Sequence, residues 1–293
     1  MKRFLIISGL IFIFILTSKL SLAIEKPIAP SAPSVPIAPS APSAPEVPAP
    51  PDVSGVYEVP ERPGMKVRVF AHPPKPTPPP APGKTPKPSA SPSPTTAVNN
   101  SLACGLADPD SSSVVGKAGW RIPLGSWGYQ LNVSSVPSSV GQGNLETIVN
   151  AGFNQYTSAS GNKVTFVKGD NTSVSRARLD GKNIITWGRA SSGTLGVTYI
   201  WYYTSTGLTA EIDTIMNNRY KWSWSNSNIC ADNSTYDAQN IMTHELGHWL
   251  GMDDEYSSPF IDNTMYGYGA VKEVKKNTLT SGDISSVASI YSP

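Results

Sequence analysis

The chain has 293 residues, 28 of them proline, and a formal net charge of +2. This length allows one or two domains, and so small a net charge argues against a protein that binds nucleic acid. The chain begins Met1-Lys2-Arg3, continues with an apolar run at residues 4–16, and then reaches Ser21-Leu22-Ala23. This order is typical of a secretory signal peptide, with an uncleaved anchor as the alternative. We therefore expect a signal peptide at residues 1–23 and a secreted, extracellular protein.

A Pro-rich tract follows at residues 24–100. Of the 28 prolines, 23 lie between Pro27 and Pro94, and every third residue from Pro27 to Pro48 is proline. Polyproline II has three residues per turn, so these prolines line one edge. We predict a disordered or polyproline linker here, and its stiffness suggests a role in association with a cell envelope. Residues 53–70 have fewer prolines and partly alternate like a strand, so they are a pro-segment remnant, a docking piece or further spacer.

Residues 101–293 are predicted to form one α+β domain. Alternating or β-branched-rich segments predict strands at 128–133, 163–167, 183–187, 196–203 and 209–216. Helical periodicity predicts helices at 144–157 and 281–291, the second with an apolar stripe of Ile284, Val287, Ile290 and Tyr291. Another helix is predicted to begin near Asp237, whose carboxylate suits a helix N-terminus.

The stretch from His244 to Asp254 reads H-E-x-x-H-x-x-G-x-x-D. Residues four apart share one face of a helix, so His244 and His248 can bind one metal ion together. Glu245 can reach a water held by that ion without being a ligand itself. Gly251 can adopt the left-handed conformation that ends a helix and turns the chain. This turn brings the chain back toward the metal and makes Asp254 the predicted third ligand.

Two imidazoles and one carboxylate leave a zinc ion with an open position for water. Zinc lowers the pKa of such a water to about 7, and Glu245 would accept its proton and pass it to the leaving amine. The site therefore predicts a zinc endopeptidase with one catalytic Zn²⁺, acting as a monomer on protein or peptide substrates. The alternative is a surface-displayed binding or structural protein whose metalloprotease-like domain no longer cuts.

The motif resembles that of the metzincin metalloproteases, whose signature is H-E-x-x-H-x-x-G-x-x-H or D. Residues 263–269, which contain Met265, are similar to the methionine-containing turn of that group, and their Thr-Met-Tyr order resembles the matrixin branch. The resemblance implies a twisted mixed β-sheet with an active-site helix, a methionine turn beneath the metal and a C-terminal helix. It also implies that Tyr266 or Tyr268 stabilises the oxyanion. Structural Ca²⁺ is common in the matrixin family, but no acidic loop of this sequence has the spacing of a calcium site.

The resemblance leaves two questions open. Asp262 would be the third ligand in an aspzincin arrangement, Glu273 in a gluzincin arrangement, and Asp253 adjoins the predicted ligand. The chain's remaining histidine, His72, lies far upstream, so we do not expect a third histidine ligand. Residues 211–217 resemble the edge strand on which the family lays an extended substrate, with an ordinary central strand as the alternative.

The chain has two cysteines, Cys104 and Cys230. An even pair in a secreted chain predicts a disulfide bond. The alternative comes from the matrixin resemblance, because latent matrixins block the zinc with a pro-segment cysteine. Cys104-Gly105 and the later Pro109-Asp110 are similar to that setting, but the preceding Pro-Arg is missing.

Overall fold

A computed structural model describes residues 46–76, 103, 106–226 and 234–292. The helices of these residues are α1 (Leu145–Ala159), α2 (Ala238–Trp249) and α3 (Ser281–Tyr291). The first five strands are β1 (Val47–Pro48), β2 (Gly55–Glu58), β3 (Met65–His72), β4 (Gly125–Leu131) and β5 (Val164–Lys168). The others are β6 (Arg178–Leu179), β7 (Ile184–Gly188), β8 (Gly196–Tyr203), β9 (Thr209–Asn217), β10 (Trp222–Ser223) and β11 (Tyr236–Asp237).

Seven strands form one mixed sheet in the order β2-β3-β8-β9-β7-β4-β5. The pairs among β5, β4, β7 and β9 are parallel, whereas β9, β8, β3 and β2 pair antiparallel. The predicted α+β class and its mixed sheet are therefore confirmed. No helix among the described residues is long and apolar enough to cross a bilayer.

The sheet carries apolar side chains on both faces. The larger core joins the helices to one face, and α1 contributes Leu145, Ile148, Val149, Phe153 and Tyr156 at helical spacing. On α3, Val287 and Tyr291 are buried, but Ile284 is 44 % exposed, so the predicted stripe is one residue too long. A smaller core covers the other face and includes Val67 and Val69 of β3 with Tyr199 and Trp201 of β8.

Residues 46–76 differ from the predicted linker, because β2 and β3 belong to the seven-stranded sheet and β1 pairs with β6. Strand β3 pairs with β8 along its whole length, from Met65 opposite Tyr203 to His72 opposite Gly196. The physical reason is local, since residues 65–72 contain no proline and each can donate its backbone N–H to a ladder. Burial of Val67 and Val69 stabilises this pairing by about 1.5–3 kcal/mol for each side chain.

The predicted substrate edge at residues 211–217 lies in β9. This strand is central, because it pairs with β8 on one side and β7 on the other. Of the two interpretations of this segment, the ordinary central strand is the one that the sheet shows. Strand β8, the neighbour of β9, pairs with β9 on one side. Strand β3 pairs with its other side.

Candidate active site

Helix α2 carries the first two predicted ligands and begins where the sequence predicts. The Asp237 carboxylate accepts hydrogen bonds from the backbone N–H groups of Asn240 at 2.9 Å and Ser225 at 2.6 Å. These bonds satisfy one orphan donor of the first helical turn and join it to the loop before it. Every residue of α2 from Asn240 to Trp249 is buried, so the helix is a core element rather than an exposed one.

The turn after α2 depends on Gly251. Its φ of 93° lies in the left-handed region, and a Cβ at this position would overlap the carbonyl oxygen of Trp120. The Gly251 carbonyl in turn accepts a hydrogen bond from the Ala118 N–H at 2.9 Å. The glycine therefore permits both the turn and the close approach of a neighbouring backbone, as its predicted role requires.

We expect Gly251→Ala to destabilise the protein more than Gly193→Ala. Gly193 also has a positive φ, 86°, but nothing lies within 4 Å of a Cβ built there. The control substitution should cost about 1–2 kcal/mol for the left-handed backbone alone. Gly251→Ala should cost about 3 kcal/mol or more, because the Trp120 carbonyl must also move. Denaturant unfolding measures both losses, and equal losses would contradict the overlap argument.

A backbone carbonyl fixes each imidazole of α2. His244 Nδ1 lies 2.8 Å from the Thr264 carbonyl oxygen, and His248 Nδ1 lies 3.0 Å from that of Met252. Because a carbonyl only accepts, each Nδ1 carries the proton and each Nε2 offers its lone pair to the site. Burial lowers the pKa of His248 to about 3 and that of His244 well below its ordinary value, so both rings are neutral.

Asp254 lies where the third ligand is predicted. Its Oδ1 is 3.1 Å from His244 Nε2 and 3.6 Å from His248 Nε2, and its side chain is 6 % exposed. These three atoms are buried and have no hydrogen-bond partner. Three acceptors facing one another without a donor are unfavourable, and a cation among them removes the conflict. Two imidazoles and one carboxylate at these separations fit a zinc ion with a further position open.

Glu245 lies beside this cluster and is fully buried. Thr198 donates a hydrogen bond to its Oε2 at 2.6 Å, whereas Oε1 has no partner. A Cβ at Gly196 would come 2.5 Å from Oε1, so the glycine of β8 makes room for this carboxylate. Burial raises the pKa of Glu245 to about 8, and a divalent cation nearby would lower it. The group is therefore suited to accept a proton near neutral pH.

Met265 lies beneath α2 and is fully buried. Gly247 of the helix faces it, and a Cβ there would overlap the Met265 Sδ. The Tyr156 hydroxyl lies 3.9 Å from the same sulfur and donates to the Thr243 carbonyl at 2.9 Å. Met265 thus packs against α2 at Gly247, the residue before His248, and its role as an apolar floor under the metal ligands stays a prediction.

The alternative third ligands lie elsewhere. Asp253 faces Arg68 at 3.4 Å, and its side chain is 42 % exposed. Asp262 faces Lys275 at 3.2 Å near the surface. Glu273 accepts a hydrogen bond from the Asn240 side chain at 3.3 Å. Among the described residues, the groups with metal-ligand spacing include none of these three acids.

The predicted tyrosines flank the turn after Met265. Tyr266 and Tyr268 have ring centroids 5.7 Å apart, and both are partly exposed. A third tyrosine, Tyr256, was not predicted. Its hydroxyl donates to Asp254 Oδ2 at 3.3 Å, and its ring lies 5.1 Å from that of Tyr268. Its position two residues after Asp254 was the signal that sequence reasoning could have used.

Sequence reasoning also missed a buried cation and a histidine. Lys276 is fully buried and donates to the carbonyls of Tyr266 and, at 2.9 Å, Tyr268. Burial lowers the pKa of Lys276 to about 8. His72 is 1 % exposed, and its ring centroid lies 3.9 Å from that of His244. His72 was not expected to be a ligand because it lies far upstream in the chain, but strand β3 brings it beside His244.

Several predictions fall outside the described residues. These are the signal peptide at 1–23, most of the remaining Pro-rich tract, and both Cys104 and Cys230. The disulfide bond and the cysteine-based latency therefore stay predictions.

The site combines a buried histidine pair, an adjacent acid, a glycine turn and a buried methionine packed against the active-site helix. Together with the mixed sheet, these features define a metzincin-like catalytic domain. The Matrixin family model matches residues 131–292, more than half of the chain, and the chain belongs to the matrixin family. This family consists of zinc metalloendopeptidases that act on proteins or peptides. A search of curated proteins gives no match to this chain. Residues 46–76 lie outside the matched range.

Proposed function

We propose that this chain is a secreted zinc endopeptidase that hydrolyses internal peptide bonds of proteins. The observation that carries the proposal is the convergence of unpartnered acceptor atoms from His244, His248 and Asp254 beside the free oxygen of Glu245. Secretion rests on the predicted signal peptide at residues 1–23. Attachment to a cell envelope through the Pro-rich tract, and a monomeric state, complete the proposal.

In the proposed mechanism, His244, His248 and Asp254 would hold a zinc ion, and bound zinc would supply Lewis acidity toward the scissile carbonyl and a water. Glu245 accepts the proton of that water at Oε1, the oxygen without a hydrogen-bond partner. Thr198 holds the other oxygen, so the carboxylate keeps its direction. Glu245 then delivers the proton to the leaving amine. Tyr256, Tyr266 and Tyr268 are the nearby phenols that can donate to the developing oxyanion.

The proposal is tested by metal analysis of the purified full chain together with hydrolysis of casein. We expect about one zinc per chain, since the cluster offers one set of three ligands. A chelator should abolish hydrolysis, and added zinc should restore it. Zinc binding without hydrolysis in any form of the chain would favour the alternative of a binding or structural protein.

A further inference from the structure

Strand β3 occupies the side of β8 that does not pair with β9, and β2 lies outside β3. Its eight residues pair antiparallel with β8, and β8 also supplies Gly196 and Thr198 beside Glu245. A strand edge next to a catalytic centre is the place where an extended peptide adds to a sheet. In this chain the edge is filled by the chain's own upstream segment.

Three side chains of β3 contact the metal ligands or a residue next to one of them. Arg68 lies 3.4 Å from Asp253. The Phe70 ring stacks on the His248 ring, with centroids 3.7 Å apart and planes 7° apart. His72 meets the His244 ring edge-on. The segment therefore lies directly over the metal ligands rather than beside the site.

At the end of β3 and just after it, the backbone forms hydrogen bonds with two separate segments of the chain. The His72 carbonyl accepts a hydrogen bond from the Leu195 N–H at 2.7 Å. The Pro73 carbonyl then accepts from the Gly269 N–H at 3.1 Å, and the Lys75 N–H donates to the Gly269 carbonyl at 2.7 Å. Residues 65–75 thus run between β8 and the chain that follows the methionine turn, as a bound peptide would.

His72 also lies beside the metal site, in a group that shares His244 with the ligand group of His244, His248 and Asp254 but includes neither His248 nor Asp254. One ligand atom each of His72, His244 and Glu245 lie within 4.8 Å of one another. His72 Nδ1 is buried and has no hydrogen-bond partner, while Nε2 lies 3.5 Å from Lys276 Nζ. Ligation through Nδ1 places the ring proton on Nε2, so we expect Lys276 to turn toward its two carbonyl acceptors, those of Tyr266 and Tyr268.

We propose that residues 65–75 form an internal inhibitory strand and that His72 supplies a fourth ligand to the zinc held by His244, His248 and Asp254. The inference rests on the proposed function. Four protein ligands close a zinc site, whereas a catalytic site keeps one position open. The strand also fills the β8 edge that a substrate would use. Catalysis then requires that β3 leave β8.

The first experiment uses the fact that the chain contains three histidines. The full chain carrying Glu245→Gln, which prevents self-digestion, is labelled with ¹⁵N-histidine and titrated with Zn²⁺ while the imidazole signals are recorded by NMR. We expect all three imidazoles to shift with the first equivalent of zinc. In the same chain with His72→Ala, two imidazoles should shift. If the His72 signal does not shift in the parent, ligation by His72 is overturned.

The second experiment measures inhibition in the full chain. We expect His72→Ala to raise peptide hydrolysis by about tenfold, because loss of the metal contact lets β3 leave β8 more often. Lys66→Ala is the control, since Lys66 lies on the same strand and its ammonium group pairs with Glu58 at 3.0 Å near the surface. In a further test, zinc-loaded parent chain is stored so that cleaved molecules accumulate. The molecules are separated by size, and each fraction is assayed for peptide hydrolysis and its mass is measured. Activity should appear in molecules that have lost residues 65–75, and activity in molecules that retain them would overturn the inhibitory role.

The NMR titration and the hydrolysis assay together distinguish a failure of the inhibitory-strand proposal from a failure of the proposed endopeptidase function. If no form of the chain hydrolyses peptides, the endopeptidase proposal fails, and inhibition by β3 fails with it. The NMR titration still decides whether His72 binds the metal. If hydrolysis is equal in the parent and in His72→Ala, and active molecules retain residues 65–75, the function stands and the inhibitory strand is rejected.

Discussion

Glu245→Gln should retain zinc and lose peptide hydrolysis by about 10²–10⁴-fold, the usual contribution of a general base. The substitution preserves the shape of the side chain, and Thr198 can still bond to the new amide. It removes the carboxylate oxygen that lies free in the site and with it the capacity to accept a proton. Rates should be compared in the parent chain and in His72→Ala, so that inhibition by β3 does not mask the difference.

Glu273→Gln is the matched control for this prediction. It makes the same chemical change at an acid that accepts a hydrogen bond from the Asn240 side chain and lies 4.0 Å from Lys276 Nζ. Glu273 belongs to neither group of residues with metal-ligand spacing. We expect Glu273→Gln to leave hydrolysis close to that of its parent. Similar rates for both variants would show that Glu245 is not the base and would move the search to another acceptor.

Asp254→Ala should remove most of the bound zinc. The variant loses the one carboxylate ligand, and the neutral imidazoles that remain supply no negative charge to offset that of the cation. The Asp254 side chain is almost fully buried with its Oδ1 beside both histidines, so water replaces it poorly. Metal analysis after dialysis against a weak chelator measures the loss, and unfolding curves show whether the variant still folds.

Asp262→Ala tests the competing assignment. Asp262 faces Lys275 near the surface, and we expect this variant to keep about one zinc per chain. Asp253→Ala should likewise keep its zinc, because its partner is Arg68. Loss of zinc from Asp262→Ala with retention in Asp254→Ala would contradict the third-ligand assignment and support an aspzincin arrangement.

Local patterns predicted much of the fold and the inner part of the site. Helix α2 and its ligands come from one short stretch, in which the spacing of His244 and His248 and the turn at Gly251 are visible directly. The β-branched and aromatic residues of strand β8 and the helical spacing of apolar residues in α3 are likewise visible within a single segment. Such features depend on residues close in the chain, and so sequence alone suffices for them.

Features that depend on distant pairing could not be predicted in this way. His72 and Phe70 reach the site because β3 pairs with a strand that begins at Gly196, and nothing within residues 65–72 specifies that partner. The central position of residues 211–217 is also a property of neighbours in the sheet. The burial of Lys276 depends on two carbonyl acceptors in the turn after Met265, and the identity of a lysine gives no sign of it.

The pairing of β3 with β8 also has a consequence for solubility. Residues 196–203 read Gly-Val-Thr-Tyr-Ile-Trp-Tyr-Tyr, and an uncovered strand of this composition at a sheet edge is a template for aggregation. With β3 in place the outermost strand is β2, which has four residues and ends at Glu58, paired with Lys66. The segment therefore replaces a long aromatic edge with a short charged one. A chain that has lost this segment needs a bound peptide on β8 to avoid association with its own copies.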